Sequence, residues 1–201
     1  MTRRLAARVL AAILTLVTIG AMVGLVLGFD GLPFAVAEIA AIAGLFALDR
    51  LALPIVDRWD RGADGEEHVG AVLDDLRPAG WMAIHDANLG RGNVDHILIG
   101  TGGILTVETK SHPGRISFAR IDQRWLRQAY AEAKAVERLA DHEVTPLLVF
   151  SRAYLVRPVS RQRGVTVLPA RMLAGHLERR AAQLSGREVA SIHGRLSAAL
   201  G

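Results

Sequence analysis

The chain has no cysteine, which excludes disulfides and thiolate metal sites and fits a reducing compartment. Lysine is almost absent as well: Lys110 and Lys134 are the only two, and arginine supplies the other cations of a chain with formal net charge +4. Arginine binds phosphate well through its planar fork, so the balance lends weak support to an anionic partner. There is no internal repeat, no low-complexity tail and no recognisable base-reading element.

Charge is missing altogether from residues 9–27, a run of Ala, Val, Leu, Ile, Gly, Thr and Met long enough to cross a bilayer as a helix of about 20 residues. Phe29-Asp30-Gly31-Leu32-Pro33 reads as a turn, and a second apolar run follows to Leu48, interrupted only by Glu38. The expectation is a transmembrane hairpin, with spans at about 9–28 and 32–49 within an N-terminal segment 1–60, embedded in the lipid bilayer. Arg3, Arg4 and Arg8 precede the first span, Arg50, Arg58 and Arg61 follow the second, and the connecting loop carries neither Lys nor Arg. The positive-inside rule then places both termini in the cytoplasm, on the inner face of the plasma membrane. A cleaved signal peptide, with Ala35-Val36-Ala37 at the cleavage site, is the competing reading; it leaves the second run unexplained. Gly20 and Gly24 form a small-xxx-small pair that suits a homo-oligomer through the hairpin. Glu38, costly in lipid, suits helix packing or the headgroup interface.

Residues 61–201 read as an α/β domain, with Asp57 to Gly62 as a charged linker. A first helix is expected after Asp64, where Asp64 and Glu67 have capping-box spacing. Val69, Val72, Leu73 and Leu76 form its apolar stripe, and Glu66 falls on that stripe. A carboxylate facing inward needs a partner or a metal. Strands are expected at Trp81–His85, Val94–Ile99, Ile104–Lys110, Arg115–Phe118, Pro146–Phe150 and Val165–Leu168. The second and third are apolar on both faces and should be central. Helices are expected at Gln123–Ala140, with Leu126, Ala129, Tyr130, Ala133 and Val136 inward, and at Ala170–Leu184 and Arg187–Leu200, the last capped by Ser185 and Glu188.

The turn at Gly100-Thr101-Gly102-Gly103 is the most informative local feature. A two-residue loop at Thr101-Gly102 pairs Gly100 with Gly103 and sets Asp95 opposite Glu108. A loop at Gly102-Gly103 sets Asp95 opposite Lys110. In both registers Asp95, Glu108 and Lys110 share one face, because side chains alternate with period two; a three-residue loop would put Asp95 on the other face. Opposed side chains sit about 5 Å apart at Cβ, and two carboxylates there repel unless a cation lies between them. Mg²⁺, or Mn²⁺, takes such oxygen ligands at about 2.1 Å. Asp95 and Glu108 would supply two, Lys110 would face a bound phosphate or water, and Glu66 would approach the same face. Such a set suits phosphodiester hydrolysis.

The stretch Gly65-Glu66, Asn93-Val94-Asp95-His96, Gly103-Ile104-Leu105-Thr106-Val107-Glu108-Thr109-Lys110 and Gly114 resembles the nuclease-related domain, NERD, of the PD-(D/E)XK nuclease superfamily. The resemblance runs from about Gly62 to Leu168. It implies a restriction-endonuclease-like mixed central sheet flanked by helices. It also implies a metal-dependent nuclease with Glu66, Asp95, Glu108 and Lys110 as catalytic residues and Asp95, Glu108 and the Thr109 carbonyl on the metal. DNA is the favoured substrate. A non-catalytic nucleic-acid or protein docking module of the same fold is the alternative. Members often carry a glutamine on the following helix, where this chain offers Gln128 and Glu132 without a clear assignment. His96 points away from Asp95 and reads as a core histidine; His112 reads as a loop residue, and Trp81 and Trp125 as packing residues. Arg115, Arg120, Arg124 and Arg127 form either a phosphate-binding rim or a solvated helix face.

Overall fold

The computed structural model describes residues 53–90 and 92–200, with only isolated positions among the first 52. Apart from those isolated positions, both expected spans lie outside the described residues. Among the described residues no helix is long and apolar enough to cross a membrane. Residues 1–61 and 62–201 are two compact units.

The second unit is a mixed α/β domain. Its six-stranded sheet has the order β1-β2-β3-β5-β8-β7. These strands are β1 (Met82–Asn88), β2 (Asn93–Gly100), β3 (Gly103–Lys110), β5 (Val144–Phe150), β7 (Ser160–Gln162) and β8 (Val165–Pro169). β1-β2-β3 is an antiparallel meander, β3, β5 and β8 run parallel, and β7 returns antiparallel to β8. β4 (Arg115–Ile116) and β6 (Tyr154–Leu155) make a separate two-stranded ribbon. The helices are α1 (Leu53–Asp74), α2 (Gln123–Ala140), α3 (Leu173–Glu178) and α4 (Gly186–Leu200).

Strand alternation divides the core. Leu98, Leu105, Val107, Leu147 and Val149 face Val69 and Leu73 of α1. Ile97, Ile99 and Ile104 face Ala133 and Val136 of α2 and Val189 and Ile192 of α4. β2 and β3 are interior strands, which is why both of their faces are apolar.

Four expectations need correction. α1 spans Leu53–Asp74, so the chain is already helical well before Asp64. A helix already running through 53–63 leaves Asp64 no free end to cap, and Gly62 and Gly65 cost only about 1 kcal/mol each. Tyr130 is 44% exposed, lying over the turn at Gly164 rather than inward. The helix expected at Ala170–Leu184 is a 3₁₀ turn at Ala170–Met172 followed by α3, which stops at Glu178. Beyond it the backbone N–H groups of Gln183 and Leu184 donate to the Thr101 carbonyl, and Arg180 Nε donates to the Gly102 carbonyl at 2.8 Å. These bonds to the β2–β3 turn replace the last helical turns. The fourth correction is the short strand expected to reach Phe118, which ends at Ile116 before a 3₁₀ turn.

Candidate functional site

The β2–β3 turn is Thr101-Gly102, with Gly100 paired to Gly103 and the ladder continuing to His96 opposite Val107. One step further, Asp95 stands opposite Glu108, but backbone pairing has stopped. There the Asp95 side chain takes over: its Oδ2 accepts the Thr109 backbone N–H at 2.7 Å. A carboxylate thus replaces the missing strand acceptor and is held at the splayed end of the hairpin.

Glu108 is 1% exposed. Its Oε1 accepts from Lys110 Nζ, two residues along the same face. Its Oε2 is buried with no donor among the described residues, and so is Oε2 of Glu132 on α2. The charge of Glu132 acts on Glu108 and helps raise its pKa. The other oxygen of Glu132 accepts from Gln128 Nε2 at 2.9 Å. Thr109 is buried, and its hydroxyl has no partner.

The electrostatics follow from this crowding. Burial, then Glu108, pushes the Asp95 carboxyl up to about 7, against the Thr109 hydrogen bond. Burial, then Glu132, pushes Glu108 up to about 7, against Lys110. Burial also raises Glu132, with the Gln128 hydrogen bond opposing. Carboxyls sharing one buried site cannot all ionise without a compensating cation.

Glu66 departs from expectation. It lies at the flank of the buried stripe and is exposed, not inward. The residue that packs is Gly65: a Cβ there would lie 2.6 Å from Ser151 Oγ and 2.9 Å from Ser111 Cβ. α1 therefore sits directly on the ends of β3 and β5, and Glu66 overhangs them. It lines an open cleft of ≈ 590 Å³ with Glu67, Asp74, Asp86 and Asp95. The negative charge of Glu66 reaches Asp95 and helps raise its pKa. Glu108, Lys110 and Glu132 lie outside this cleft, on the α2 face, so Asp95 is the residue that joins the two.

His96 is 4% exposed and faces the α1 side, as expected of a core histidine. Its Nδ1 lies 2.9 Å from His85 Nδ1, and His85 Nε2 lies 3.3 Å from Asp74 Oδ1. Burial, then His85, lowers His96 to about 4. His112 lies on the loop after β3, with Nδ1 2.7 Å from its neighbour's carbonyl at Pro113. Trp81 is buried against Gly100, and Trp125 packs edge-on to Phe150.

The structure therefore brings Asp95, Glu108, Thr109 and Lys110 together and leaves Glu66 at the solvent edge. It adds Glu132, which sequence reasoning named without a role. The missed signal is its spacing: Glu132 lies one position before the buried Ala133 and one turn after Gln128. Among the described residues no three His, Asp or Glu side chains already stand as a set of metal ligands. The donors nevertheless fit a hard divalent cation: all are oxygens, and two buried carboxylate oxygens lack a donor among the described residues.

Residues 61–151 match the family model of the nuclease-related domain, NERD. An uncharacterized protein of Bacillus anthracis is 27% identical over 126 residues, covering 53% of this chain and 59% of the relative. A repair endonuclease from Pyrococcus abyssi is similar over 55% of this chain and 42% of its own, with 16% identity and TM-score 0.33. SfsA of Pyrococcus furiosus, solved in complex with Ca²⁺, is similar over 70% of this chain and 53% of its own, with 17% identity and TM-score 0.26. The chain thus spans less than two thirds of the length of each of these proteins.

Proposed function

Because residues 61–151 carry a nuclease-related domain, we propose that the chain is a metal-dependent nuclease that hydrolyses phosphodiester bonds, DNA being the favoured substrate. The observation that carries this reading is the meeting of Asp95, Glu108, Lys110 and Glu132 on one face of β2, β3 and α2, with two buried carboxylate oxygens lacking donors.

Asp95 and Glu108 would hold Mg²⁺ or Mn²⁺, with the Thr109 carbonyl as the further ligand that the family resemblance implies. When bound, such a cation supplies an acidified water and neutralises charge developing on phosphate. The chain's own residues do the rest. Lys110, whose ammonium sits beside Glu108, would face a bound phosphate and offset its negative charge. Glu132, raised by burial, would hold a proton beside Glu108. Gln128 fixes the orientation of Glu132. Glu66, at the solvent edge, adds negative charge beside Asp95.

The N-terminal hairpin would hold this domain at the inner face of the plasma membrane. That part rests on the uncharged run 9–27, the run 32–48 and the arginine flanks.

The test is cleavage by the full chain in neutral detergent. Plasmid and single-stranded DNA and RNA should be cut with Mg²⁺ or Mn²⁺ and spared in EDTA. Asp95→Asn and Lys110→Ala should each abolish cutting while leaving the thermal unfolding midpoint within a few degrees. No cleavage of any nucleic acid, together with no heat of Mn²⁺ binding, would defeat the proposal. A second reading, a docking module of the same fold, is favoured by one feature: Glu108 and Asp95 are already engaged by Lys110 and the Thr109 N–H. Metal-independent binding of nucleic acid that survives Glu108→Gln, without cleavage, would select it.

A further inference from the structure

The charges of the domain are sorted in space. The cleft beside α1 is acidic, lined by Glu66, Glu67, Asp74, Asp86 and Asp95. A phosphate backbone has no reason to approach there. The segments that build the β4–β6 ribbon are the reverse. Between Glu108 and Asp122 the charged residues are Lys110, Arg115 and Arg120; between Glu143 and Glu178 they are Arg152, Arg157, Arg161, Arg163 and Arg171. Neither stretch contains an acid, and all seven arginines are exposed.

This ribbon grows out of the candidate site. β4 starts at Arg115, just beyond the loop that follows Lys110. Ser151 N–H donates to the Lys110 carbonyl at 3.2 Å and Tyr154 N–H to the Gly114 carbonyl at 2.9 Å, which ties the ribbon to the ends of β3 and β5. Tyr154 pairs with Arg115 across the ribbon and is 56% exposed. The guanidinium carbons of Arg115 and Arg171 each lie 5.6 Å from its ring centre. An exposed aromatic ring with two guanidinium groups over it offers one partner three matched contacts: a base that takes the place of a guanidinium on the ring face, and a phosphate on each arginine.

We infer that the β4–β6 ribbon is the docking surface for a single nucleic-acid strand, one base stacking on Tyr154 and the adjoining phosphates held by Arg115 and Arg171. The substrate class of the site is then unpaired nucleic acid, such as a single strand, a flap or a frayed end, because a stacked duplex buries the base faces that Tyr154 needs. The inference deepens the nuclease reading and rests on it for the strand's path from the ribbon toward Lys110.

The experiment is fluorescence anisotropy with the full chain in neutral detergent and EDTA, where binding is read without cleavage. The probes are labelled oligothymidylate and oligouridylate of about twelve nucleotides and a duplex of the same length. Single strands should bind about tenfold more tightly than the duplex. Tyr154→Ala should weaken single-strand binding by about tenfold, and Tyr154→Phe, which keeps the ring, should restore it. Arg115→Ala should reduce the salt slope of log affinity by about 0.7, the loss of one phosphate contact on a single strand. A difference between the two oligonucleotides assigns the strand as DNA or RNA, either of which supports the inference.

Unchanged affinity in Tyr154→Ala would overturn it. So would equal binding of duplex and single strand with equal loss in the variant. Tyr154→Ala weakening association with phosphatidylserine-doped micelles, with oligonucleotide affinity intact, would assign the patch to a lipid surface and overturn it too. The two readings fail separately. Tyr154-dependent strand binding without cleavage leaves the ribbon assignment and removes the nuclease; cleavage with Tyr154→Ala neutral does the opposite.

Discussion

Replacing Glu108 by Gln should make the metal-free domain more stable at pH 8 and leave it nearly unchanged at pH 4. Glu108 is almost fully buried, and its carboxyl is pushed from an ordinary 4.5 up to about 7. A raised folded pKa means that the folded state holds a proton the unfolded chain has released. Its stabilising contribution is complete below the unfolded pKa and is lost as pH rises through the folded value. Each unit corresponds to about 1.4 kcal/mol; with Glu132 and Asp95 sharing the same protons, the loss for Glu108 alone is on the order of 1–3 kcal/mol. Glutamine carries no such charge, so the loss vanishes in the variant. His96, lowered to about 4, shifts stability the other way, its contribution being lost as pH falls toward 4; it is present in both proteins and cancels in the difference. The assay is urea unfolding of the full chain in detergent with EDTA, followed by tryptophan fluorescence at several pH values from 4 to 8. The difference between variant and wild type should grow with pH, most steeply between 5 and 7. Adding Mn²⁺ should reverse the order at pH 8, since only the wild type gains binding energy. A variant destabilised by the same amount at every pH, or more at 8 than at 4, would refute the reasoning.

Other positions give sharp contrasts. Gly65→Ala places a Cβ 2.6 Å from Ser151 Oγ and should cost about 1–3 kcal/mol, whereas Gly62→Ala, with open space around it, should be neutral or stabilise by about 1 kcal/mol; thermal unfolding midpoints moving in the same direction would count against the packing of α1. Ser185→Ala removes one half of the capping box, in which Ser185 N–H donates to Glu188 Oε2 at 2.7 Å and Glu188 N–H donates to Ser185 Oγ at 3.3 Å, and should cost about 1 kcal/mol in urea unfolding. Arg180→Ala should cost about 1–3 kcal/mol by orphaning the Gly102 carbonyl and Thr145 Oγ1. Hydrogen exchange at the amides of the β2–β3 turn should quicken in that variant; unchanged protection would argue against the clamp.

What could be read from sequence was what is decided locally or by strict alternation. Two-residue loops at the β2–β3 turn allowed two registers, both placing Asp95, Glu108 and Lys110 on one face, whereas a three-residue loop would have turned Asp95 away; the structure has the turn at Thr101-Gly102. The bounds of α2 and the Ser185–Glu188 cap follow from apolar period and cap chemistry, and both are found. The misses are tertiary. Nothing local says that Gly65, rather than Glu66, meets the strand ends, because that depends on how far α1 overshoots the sheet. The end of α3 is set by carbonyls of a turn nearly eighty residues away, as the separation of 78 between Arg180 and Gly102 illustrates. β6 and β7 are two and three residues long, too short for a period to declare itself. Glu132 looked like any half-exposed helical carboxylate until β3 put Glu108 beneath it.

The arrangement explains why such a costly group of acids sits in an otherwise apolar core. Alternation along β3 sends Leu105 and Val107 toward α1 and Ile104, Thr106 and Glu108 toward α2. A carboxylate at position 108 is therefore forced beneath α2, at the point where Glu132 descends. Leucine at both positions would bury more apolar area and leave no donor-free oxygen. Replacing buried ionic groups with apolar residues of similar size is often neutral or stabilising, so packing alone gives no reason for acids there. The strand end supplies one. Past His96 the β2–β3 ladder has opened, Asp95 has become the acceptor for Thr109 N–H, and solvent reaches Asp95 through the α1 cleft. Three acids whose charges repel, one ammonium beside them and an entrance at Asp95 form a site that a divalent cation, on the proposed reading, would relieve by taking the place of protons. The instability of the crowded acids and the proposed binding of a divalent ion would then be one property seen from two sides.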